Sequence, residues 1–428
     1  MSFGDDIRNG VPIGLPSILS LGLPPLVNPY PALNLDFINN PLDPRITFTR
    51  ATTATYFNSS GVLSTAASGV ARFDYNPTTL AAQGLLIEEQ RTNLLTYSEQ
   101  FDNAVWTKTR SSITADATTS PDGTQDADKL VEDTATNTHD MTFSASFTSG
   151  TAYTLSIYAK QAGRNLRIYF PTGAFGFAFS AVFDLSAGTA TIALTGTVAS
   201  ITNVGNGWYR CSITQTATAS VTSTFTLRLI EGASTTSYTG DGTSGIFIWG
   251  AQLEAGAFAT SYIPTTTTAL TRNADAASMT GTNFSSWYNA VEGTLYVEAN
   301  TPDFAVAYVF ADINSNSLTN YIRQSTSSLG TISQFVVSDS GTAVASPGVA
   351  VTLGSVRKAA GAYILNSIQQ SVNGLLGTQD TSATIPAGLT QLNIGSRSTG
   401  ANNVNGTIRR IAYYPTRLAN EQLQALTG

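Results

Sequence analysis

Apolar and polar side chains alternate along several stretches of this chain. In residues 153–160, 224–229 and 294–299 every second side chain is apolar, as in Thr294-Leu295-Tyr296-Val297. A period of two is typical of β-strands, whose successive side chains point to opposite faces of a sheet. The same spacing predicts one further core strand, with the inward residues Phe175, Phe177, Phe179, Ala181 and Phe183.

Turn signals separate these stretches. Asn206-Gly207, Gly240-Asp241-Gly242 and Asn373-Gly374 are typical of tight hairpins. Parallel sheets need amphipathic helices between strands, and the pattern predicts only one helix, at residues 420–426, with Asn420 as its cap. The sequence therefore predicts an all-β fold made of antiparallel β-sandwiches.

The 428 residues are enough for two or three domains. We expect an extended segment at residues 1–34 and a region of short strands at 35–92. A first sandwich follows at 93–265 and a linker at 266–280. A second sandwich is expected at 281–428.

The leader, residues 1–34, is rich in proline and leucine. Four prolines at positions 12, 16, 24 and 25 interrupt its apolar stretch, so we expect neither a regular helix nor a membrane span there. Its first ten residues lack the basic start of a secretion signal. Because the leader is too apolar for ordinary disorder, we expect it to dock on another protein.

Charge limits the possible partners. The net charge is −7, and only 11% of the residues are charged. Nucleic acids and anionic membranes attract basic surfaces, so neither is expected as a partner. The single cysteine, Cys211, cannot form an internal disulfide, and the pattern favours a buried apolar role for it.

Three stretches resemble known families. Residues 35–106, which begin LDFINNPLDPRITFTRATTATYF, are similar to tailed-phage virion proteins of the head-spike or tail-fibre type. Residues 246–265, IFIWGAQLEAGAFATSYIPT, resemble the closing strands of carbohydrate-binding jelly rolls. Residues 392–427 resemble the end of laminin-G/concanavalin-like lectin domains. The resemblance implies a location on the virion surface, at head or tail, and contact with glycans.

The sequence contains few candidate catalytic residues. The lone histidine, His139, has no Gly-x-Ser-x-Gly motif to accompany it, and a surface position is expected for it. Glu88 and Glu89 are adjacent, and neighbours in a strand point to opposite faces, so they cannot flank one glycosidic bond. We therefore expect no catalytic residues and no cofactor. The acidic residues of one loop form a weak calcium candidate, but EF-hand spacing is absent and a plain loop is favoured: Asp122, Asp126 and Asp128.

Sugar binding requires an aromatic platform together with amide, carboxylate or guanidinium hydrogen bonds. In the first sandwich the candidate glycan-binding residues are Trp208, Tyr209, Asn206, Tyr158 and Tyr169. In the second sandwich they are Tyr321, Arg323, Arg397, Asn402, Asn403 and Asn405. Trp249, in contrast, is expected to be a core residue.

The leading hypothesis is a fibre or spike subunit of a phage particle. Residues 1–34 would bind other virion proteins, and the sandwiches would contact host polysaccharide or lipopolysaccharide. The resemblance implies a homo-oligomer, with a trimer expected because phage fibres multiply weak sites by avidity. Two alternatives remain open: a spacer or decoration protein that binds no sugar, and a capsule depolymerase.

Overall fold

The computed structural model describes residues 30–192, 196–300 and 306–428. The first part of the chain contains β1 (Leu33–Asp36), β2 (Thr47–Thr49), β3 (Ala54–Phe57), β4 (Leu63–Ala66), β5 (Arg72–Tyr75), β6 (Ala82–Ile87) and β7 (Arg91–Asn93).

The middle part contains β8 (Thr107–Thr109), β9 (Ser111–Thr118), β10 (Ala127–Glu132), β11 (Thr136–Asn137), β12 (Asp140–Phe147), β13 (Ala152–Ala162), β14 (Asn165–Tyr169), α1 (Thr172–Phe175), β15 (Ser180–Asp184), β16 (Thr189–Ile192), β17 (Val198–Gly205), β18 (Trp208–Thr216), β19 (Val221–Ile230), β20 (Tyr238–Thr239) and β21 (Gly245–Ala255).

The last part contains β22 (Leu270–Arg272), β23 (Ala276–Thr280), α2 (Thr282–Ser285), β24 (Gly293–Asn300), β25 (Val309–Asn314), β26 (Tyr321–Thr326), β27 (Ile332–Asp339), β28 (Thr342–Ala345), β29 (Gly348–Ala350), β30 (Val356–Ile364), β31 (Ser367–Val372), β32 (Leu375–Leu376), β33 (Gln391–Ile394), β34 (Gly406–Tyr414) and α3 (Asn420–Thr427).

The first sandwich consists of two six-stranded antiparallel sheets. The β13 sheet has the order β17-β18-β13-β21-β10-β9, and the β14 sheet has the order β16-β15-β14-β19-β12-β8. Leu155 and Ile157 of β13 lie in one core with Phe225 and Leu227 of β19. The side chains that the alternating pattern predicted to face inward are thus buried, and the expectation of antiparallel β-sandwiches is confirmed.

The phenylalanine stretch at 175–183 differs from its prediction. Ala181 and Phe183 lie in β15 and in the core, but residues 172–175 form the helical turn α1. Phe175 is buried, whereas Phe177 is 66% exposed. A helical turn does not keep the two-residue period of a strand, so the alternation in the sequence does not follow one face here.

The second sandwich is built from both ends of the described chain. The β24 sheet has the order β32-β31-β30-β24-β34-β6-β5, with β1 also paired to β34. The β33 sheet has the order β2-β23-β33-β25-β26-β27-β28, with β29 also paired to β27. Leu33 and Leu85 therefore share one core with Leu295, Leu392 and Ile411.

This arrangement differs from the segments drawn on the sequence. Residues 35–92 do not stand apart, because β1, β2, β5 and β6 belong to the sheets of the second sandwich. The expected linker, residues 266–280, carries β22 and β23. The first sandwich is therefore an insertion into the second. Of the leader 1–34, residues 1–29 lie outside the described residues, while residues 33 and 34 belong to β1.

The β3–β4 hairpin covers part of the outer face of the β13 sheet. Leu63 of this hairpin packs in one apolar cluster with Tyr158, Trp208, Trp249 and Tyr262. The Trp249 and Tyr262 ring centroids are 4.8 Å apart. This cluster joins the first sandwich to a hairpin from the first part of the chain.

A buried ionic network lies beside this cluster. Asp275 accepts hydrogen bonds from the guanidinium of Arg50 at 2.9 Å and from that of Arg72 at 2.6 Å. It also accepts the backbone N–H of Glu88 at 2.9 Å. Both side chains of each Asp275–arginine pair are fully buried, so their charges must be balanced within the protein.

Glu88 extends the network to the first sandwich. Its carboxylate lies 2.8 Å from Arg72 and 3.5 Å from Arg272, and it accepts the N–H and O–H of Ser261. Burial raises the pKa of Glu88, but Arg272, Arg72 and the Ser261 hydrogen bonds outweigh it and lower the pKa to about 2.

The helix α3 covers the outer face of the β24 sheet. Leu418, Leu423 and Leu426 pack there on Tyr296 and Tyr414. The helix begins at Asn420, as its start in the sequence suggested, but the residue at the cap position is Ala419. The backbone N–H of Ala419 donates to Gln422 Oε1 at 2.9 Å, and Asn420 instead accepts from Arg417.

Candidate functional site

Two of the predicted sugar platforms are buried. Trp208 and Tyr158 are each 1% exposed and lie under the β3–β4 hairpin. The indole N–H of Trp208 donates to the carbonyl of Thr119 at 3.1 Å. Neither ring can stack on a ligand in this structure. Trp249, expected in the core, is also buried, but it lies in this cluster on the outer face of the sheet and not between the two sheets.

The other candidates of the first sandwich lie apart from one another. Asn206 is exposed at the β17–β18 turn, where its φ of 52° suits an asparagine. Tyr209 is half-buried and packs against the core of the sandwich. The ring centroid of Tyr169 is 4.5 Å from the guanidinium of Arg167 and 4.8 Å from that of Arg228, and Arg228 also donates to its hydroxyl at 3.3 Å, so this side chain already has partners within the protein.

A groove on the β13 sheet was not predicted. It has a volume of about 310 Å³ and lies on the outer face of β17 and β18, next to the segment that follows β21. Its lining consists of hydroxyl groups, small apolar side chains, one aromatic ring and one cation: Val198, Ala199, Ser200, Thr202, Arg210, Ser212, Thr214, Ala257, Phe258 and Ala259.

Strand register explains why these side chains meet. Ser200 lies opposite Ser212, and Thr202 lies opposite Arg210, in the antiparallel β17–β18 pair. Alternation places their neighbours Ile213 and Cys211 in the core. The outward hydroxyls therefore form rows across the sheet, and Ser156 of β13 continues the row of Ser212.

Phe258 and Arg210 are the larger groups of the groove. The guanidinium of Arg91 lies 4.7 Å from the ring centroid of Phe258. Arg91 also forms an ion pair with Glu89 and donates a hydrogen bond to the carbonyl of Ala255. Arg210 donates to Ser156 Oγ at 3.0 Å and lies 5.4 Å from the ring centroid of Tyr158. The alternation Arg210-Cys211-Ser212-Ile213-Thr214 was the signal in the sequence that could have revealed this face.

The second sandwich brings three predicted residues together. Tyr321 and Arg323 lie on β26, with the Arg323 guanidinium 3.8 Å from the ring centroid of Tyr321. Arg323 makes a two-point bond with Asp312 at 3.0 and 3.1 Å. Arg397 lies near the same pair, because its neighbour Ser398 donates its N–H to Asp312, and burial together with the positive charge of Arg323 lowers the pKa of Arg397.

These three residues differ in their exposure to solvent. Arg323 is 4% exposed and its charge is balanced by Asp312, so its role is structural. Tyr321 and Arg397 are half-buried, and both remain accessible in part. The loop after β33 is held here by Ser398, whose N–H donates to Asp312 at 3.2 Å.

The predicted asparagine loop has a structural role. Asn403 is 2% exposed and donates to the carbonyls of Glu88 and Asp275. Asn405 accepts the Glu89 N–H at 2.8 Å and donates to the Glu89 carboxylate at 3.2 Å. Asn402 and Asn405 both have a positive φ, of 55° and 48°. The interactions of Asn403 and Asn405 hold the loop against residues 88–89, so these amides are engaged within the protein.

The acidic loop shows the geometry of a turn. Asp122 accepts the N–H and O–H of Thr124 and the O–H of Ser120. Asp128 is buried and accepts the backbone N–H groups of Phe101 and Asp116; burial raises its pKa to about 6. Asp126 is half-buried. Within residues 30–192, 196–300 and 306–428, no three acidic, histidine or cysteine side chains are arranged to hold a metal ion.

His139 is buried, so the expected surface position is wrong. Its Nδ1 lies 2.7 Å from the carbonyl of Arg110, and its ring packs on Tyr238. Glu88 belongs to the buried network, while Glu89 pairs with Arg91 at 2.5 Å. Both carboxylates are thus engaged in ion pairs within the protein.

No family model and no curated protein matches the sequence. Among solved structures, the chain is similar to the Ruminococcus gnavus IT-sialidase CBM40, with 13% identity, 34% of this chain and 88% of that chain covered, and a TM-score of 0.30.

It is also similar to the NanB sialidase from Streptococcus pneumoniae, with 11% identity, 35% and 26% coverage and a TM-score of 0.31. A structure on cell entry of botulinum neurotoxin type C gives 9% identity, 36% and 40% coverage and a TM-score of 0.29. At TM-scores this low, the likeness carries no argument about ligand or activity. In the part of the chain that the structure describes, no helix is long and apolar enough to span a bilayer.

Proposed function

We propose that this chain is a non-enzymatic surface protein of a tailed-phage particle that binds host glycans through the groove on β17 and β18. One observation carries the proposal: an open groove of about 310 Å³ is lined by hydroxyls, a phenylalanine and an arginine. Sugars present hydroxyls and an apolar ring face, and this lining complements both.

The groove is also built on a rigid support. It lies on a sheet whose opposite face forms the core of the first sandwich, with Cys211 and Ile213 fully buried. The β3–β4 hairpin and the aromatic cluster around Trp249 pack on the same sheet. A preformed surface loses little conformational entropy on binding, which favours weak ligands such as single sugars.

The particle location is supported by the resemblance of residues 35–106 to virion proteins. Residues 1–34 were expected to dock on other virion proteins, but β1 begins at Leu33 and packs in the core. The docking segment is therefore better taken as residues 1–29. Copies of the chain, as a trimer, would raise the avidity of a shallow site.

A glycan array probed with the full-length protein tests the binding proposal. Ser212→Leu adds bulk inside the groove and should abolish the array signal. Ser144→Leu is the matched control, because Ser144 is exposed on the outer face of β12 in the other sheet of the same sandwich. Binding by neither the wild type nor the control would favour the spacer alternative, and release of reducing ends from capsule would favour the depolymerase.

The docking proposal has a separate test. A chain that begins at residue 30 keeps β1 and the core of the second sandwich, so it should fold. We expect this chain to be missing from purified particles, while the full chain is present. Incorporation of the shortened chain at the full level would contradict docking through residues 1–29.

A further inference from the structure

Among the described residues that line the groove on β17 and β18, Arg210 is the one charged side chain. The residues around it are Ser200, Thr202, Ser212 and Thr214, which are uncharged. The groove therefore carries a single positive charge on an otherwise neutral lining.

The described residues leave much of the Arg210 guanidinium without a partner. One Nη donates to Ser156 Oγ at 3.0 Å, and the buried Nε has no hydrogen-bond partner among the described residues. No acidic side chain of the described residues lies within ion-pair distance of Arg210. In the same sandwich, Arg164 and Arg228 differ, because each makes a two-point bond with a carboxylate.

The carboxylate of Glu254 on the same face has other partners. It is fully buried and accepts the N–H of Thr260 at 3.0 Å and the O–H of Thr260. β21, which carries Glu254, is separated from β18 by β13. Glu254 thus bonds to the segment after β21 and does not pair with Arg210.

We propose that Arg210 is the anion-binding residue of the groove and that the bound glycan carries an acidic substituent. This inference rests on the proposed glycan-binding function. A guanidinium offers two parallel N–H donors to a carboxylate, phosphate or sulfate group, and partial exclusion of water strengthens that bond. Ser212 and Thr214 offer hydroxyls to the neutral part of the same sugar.

An array of matched pairs tests the proposal on the full-length protein. Each pair contains a neutral oligosaccharide and its counterpart with a uronate carboxylate, a phosphate or a sulfate. We expect the wild type to prefer the acidic member by about tenfold or more, which is typical of one charged hydrogen-bonded pair. The preference should decline between 0.05 and 0.5 M salt, roughly as screening shortens the reach of exposed charges. The separate arms show which acidic group is preferred.

Variants assign the preference to one residue. Arg210→Gln should reduce the affinity for the acidic member to that for the neutral one, while Arg210→Lys should retain part of the preference. Arg167→Gln is the matched control: Arg167 also donates to a serine hydroxyl and lies over a tyrosine ring, but on the other sheet. It should keep the full preference.

Each outcome decides between the two proposals. Equal binding of both members by the wild type would overturn the acidic-sugar proposal and leave glycan binding intact. Binding of no glycan would remove both. A preference that survives Arg210→Gln, or that disappears equally in Arg167→Gln, would also overturn the role of Arg210. If Arg210→Gln fails to fold, the matched pairs still test the preference for an acidic sugar, because the wild type alone compares the acidic and neutral members.

Discussion

Leu35 lies opposite Ile411 in the antiparallel pairing of β1 with β34, although the two residues come from opposite ends of the chain. Both side chains are buried in one core, at 2% and 0% exposure. The second sandwich therefore closes only when its first and last strands meet, with the whole first sandwich between them in the sequence. Contacts of such high sequence separation form slowly, because a long loop must close before they are made.

The first prediction concerns this junction. Leu35→Ala should lower the free energy of unfolding by about 2–5 kcal/mol, as is typical when a buried leucine leaves a cavity. Asn34→Ala is the control on the same strand, because Asn34 is exposed and its side chain accepts a surface hydrogen bond from Arg410. It should cost less than about 1 kcal/mol. Urea unfolding measures both, and equal effects would show that β1 is not part of the core.

The second prediction concerns the buried network. Asp275→Ala removes the carboxylate shared by Arg50 and Arg72, which leaves Arg50 without its carboxylate partner and Arg72 with that of Glu88. The expected loss of stability is about 3–5 kcal/mol, because an uncompensated buried charge is costly. Asp43→Ala is the control, since Asp43 pairs with Arg45 at the surface.

The control should cost less than about 1 kcal/mol. A small effect of Asp275→Ala in thermal unfolding would mean that solvent reaches Arg50 and Arg72.

Local pattern predicted the sheets of this protein but not how distant segments combine. The period of two in 153–160 placed Leu155 and Ile157 in the core correctly, because alternation is a property of the strand itself. The pairing of β1 with β34 has no signal in the local sequence pattern. The pattern therefore predicts residues 35–92 as a separate region and not as part of the second sandwich. Prediction of strand partners requires information about long-range contacts.

The candidate site was predicted only in part, for the same reason. The alternation of β13 directs Tyr158 away from the core of its own sandwich, and the pattern alone therefore predicts an exposed ring. The β3–β4 hairpin, from outside that sandwich, covers it. Residue type alone suggested Tyr321, Arg323 and Arg397 as candidates. Their proximity depends on the packing of β26 beside the loop after β33, which residue type could not establish.

The third prediction tests alternation on β18 directly. Cys211 is fully buried, and burial raises the pKa of its thiol, so it should react with a thiol reagent only in denaturant. Moving the cysteine by one residue, as Cys211→Ala with Ser212→Cys, places the thiol on the groove side. That variant should react in the native state within minutes. Protection of both thiols would contradict an open groove at Ser212.

The fourth prediction concerns pH. Desolvation raises the pKa of Asp74 to about 7, while its carboxylate accepts the N–H of Phe57 at 2.8 Å. The folded state therefore holds a proton that the unfolded state releases between about pH 4 and 7, so Asp74 makes stability fall as pH rises through this window. Asp74→Asn keeps the acceptor and removes the titration. Urea unfolding should show little change at pH 4 and a more stable variant at pH 8; an equal loss at both would contradict the raised pKa.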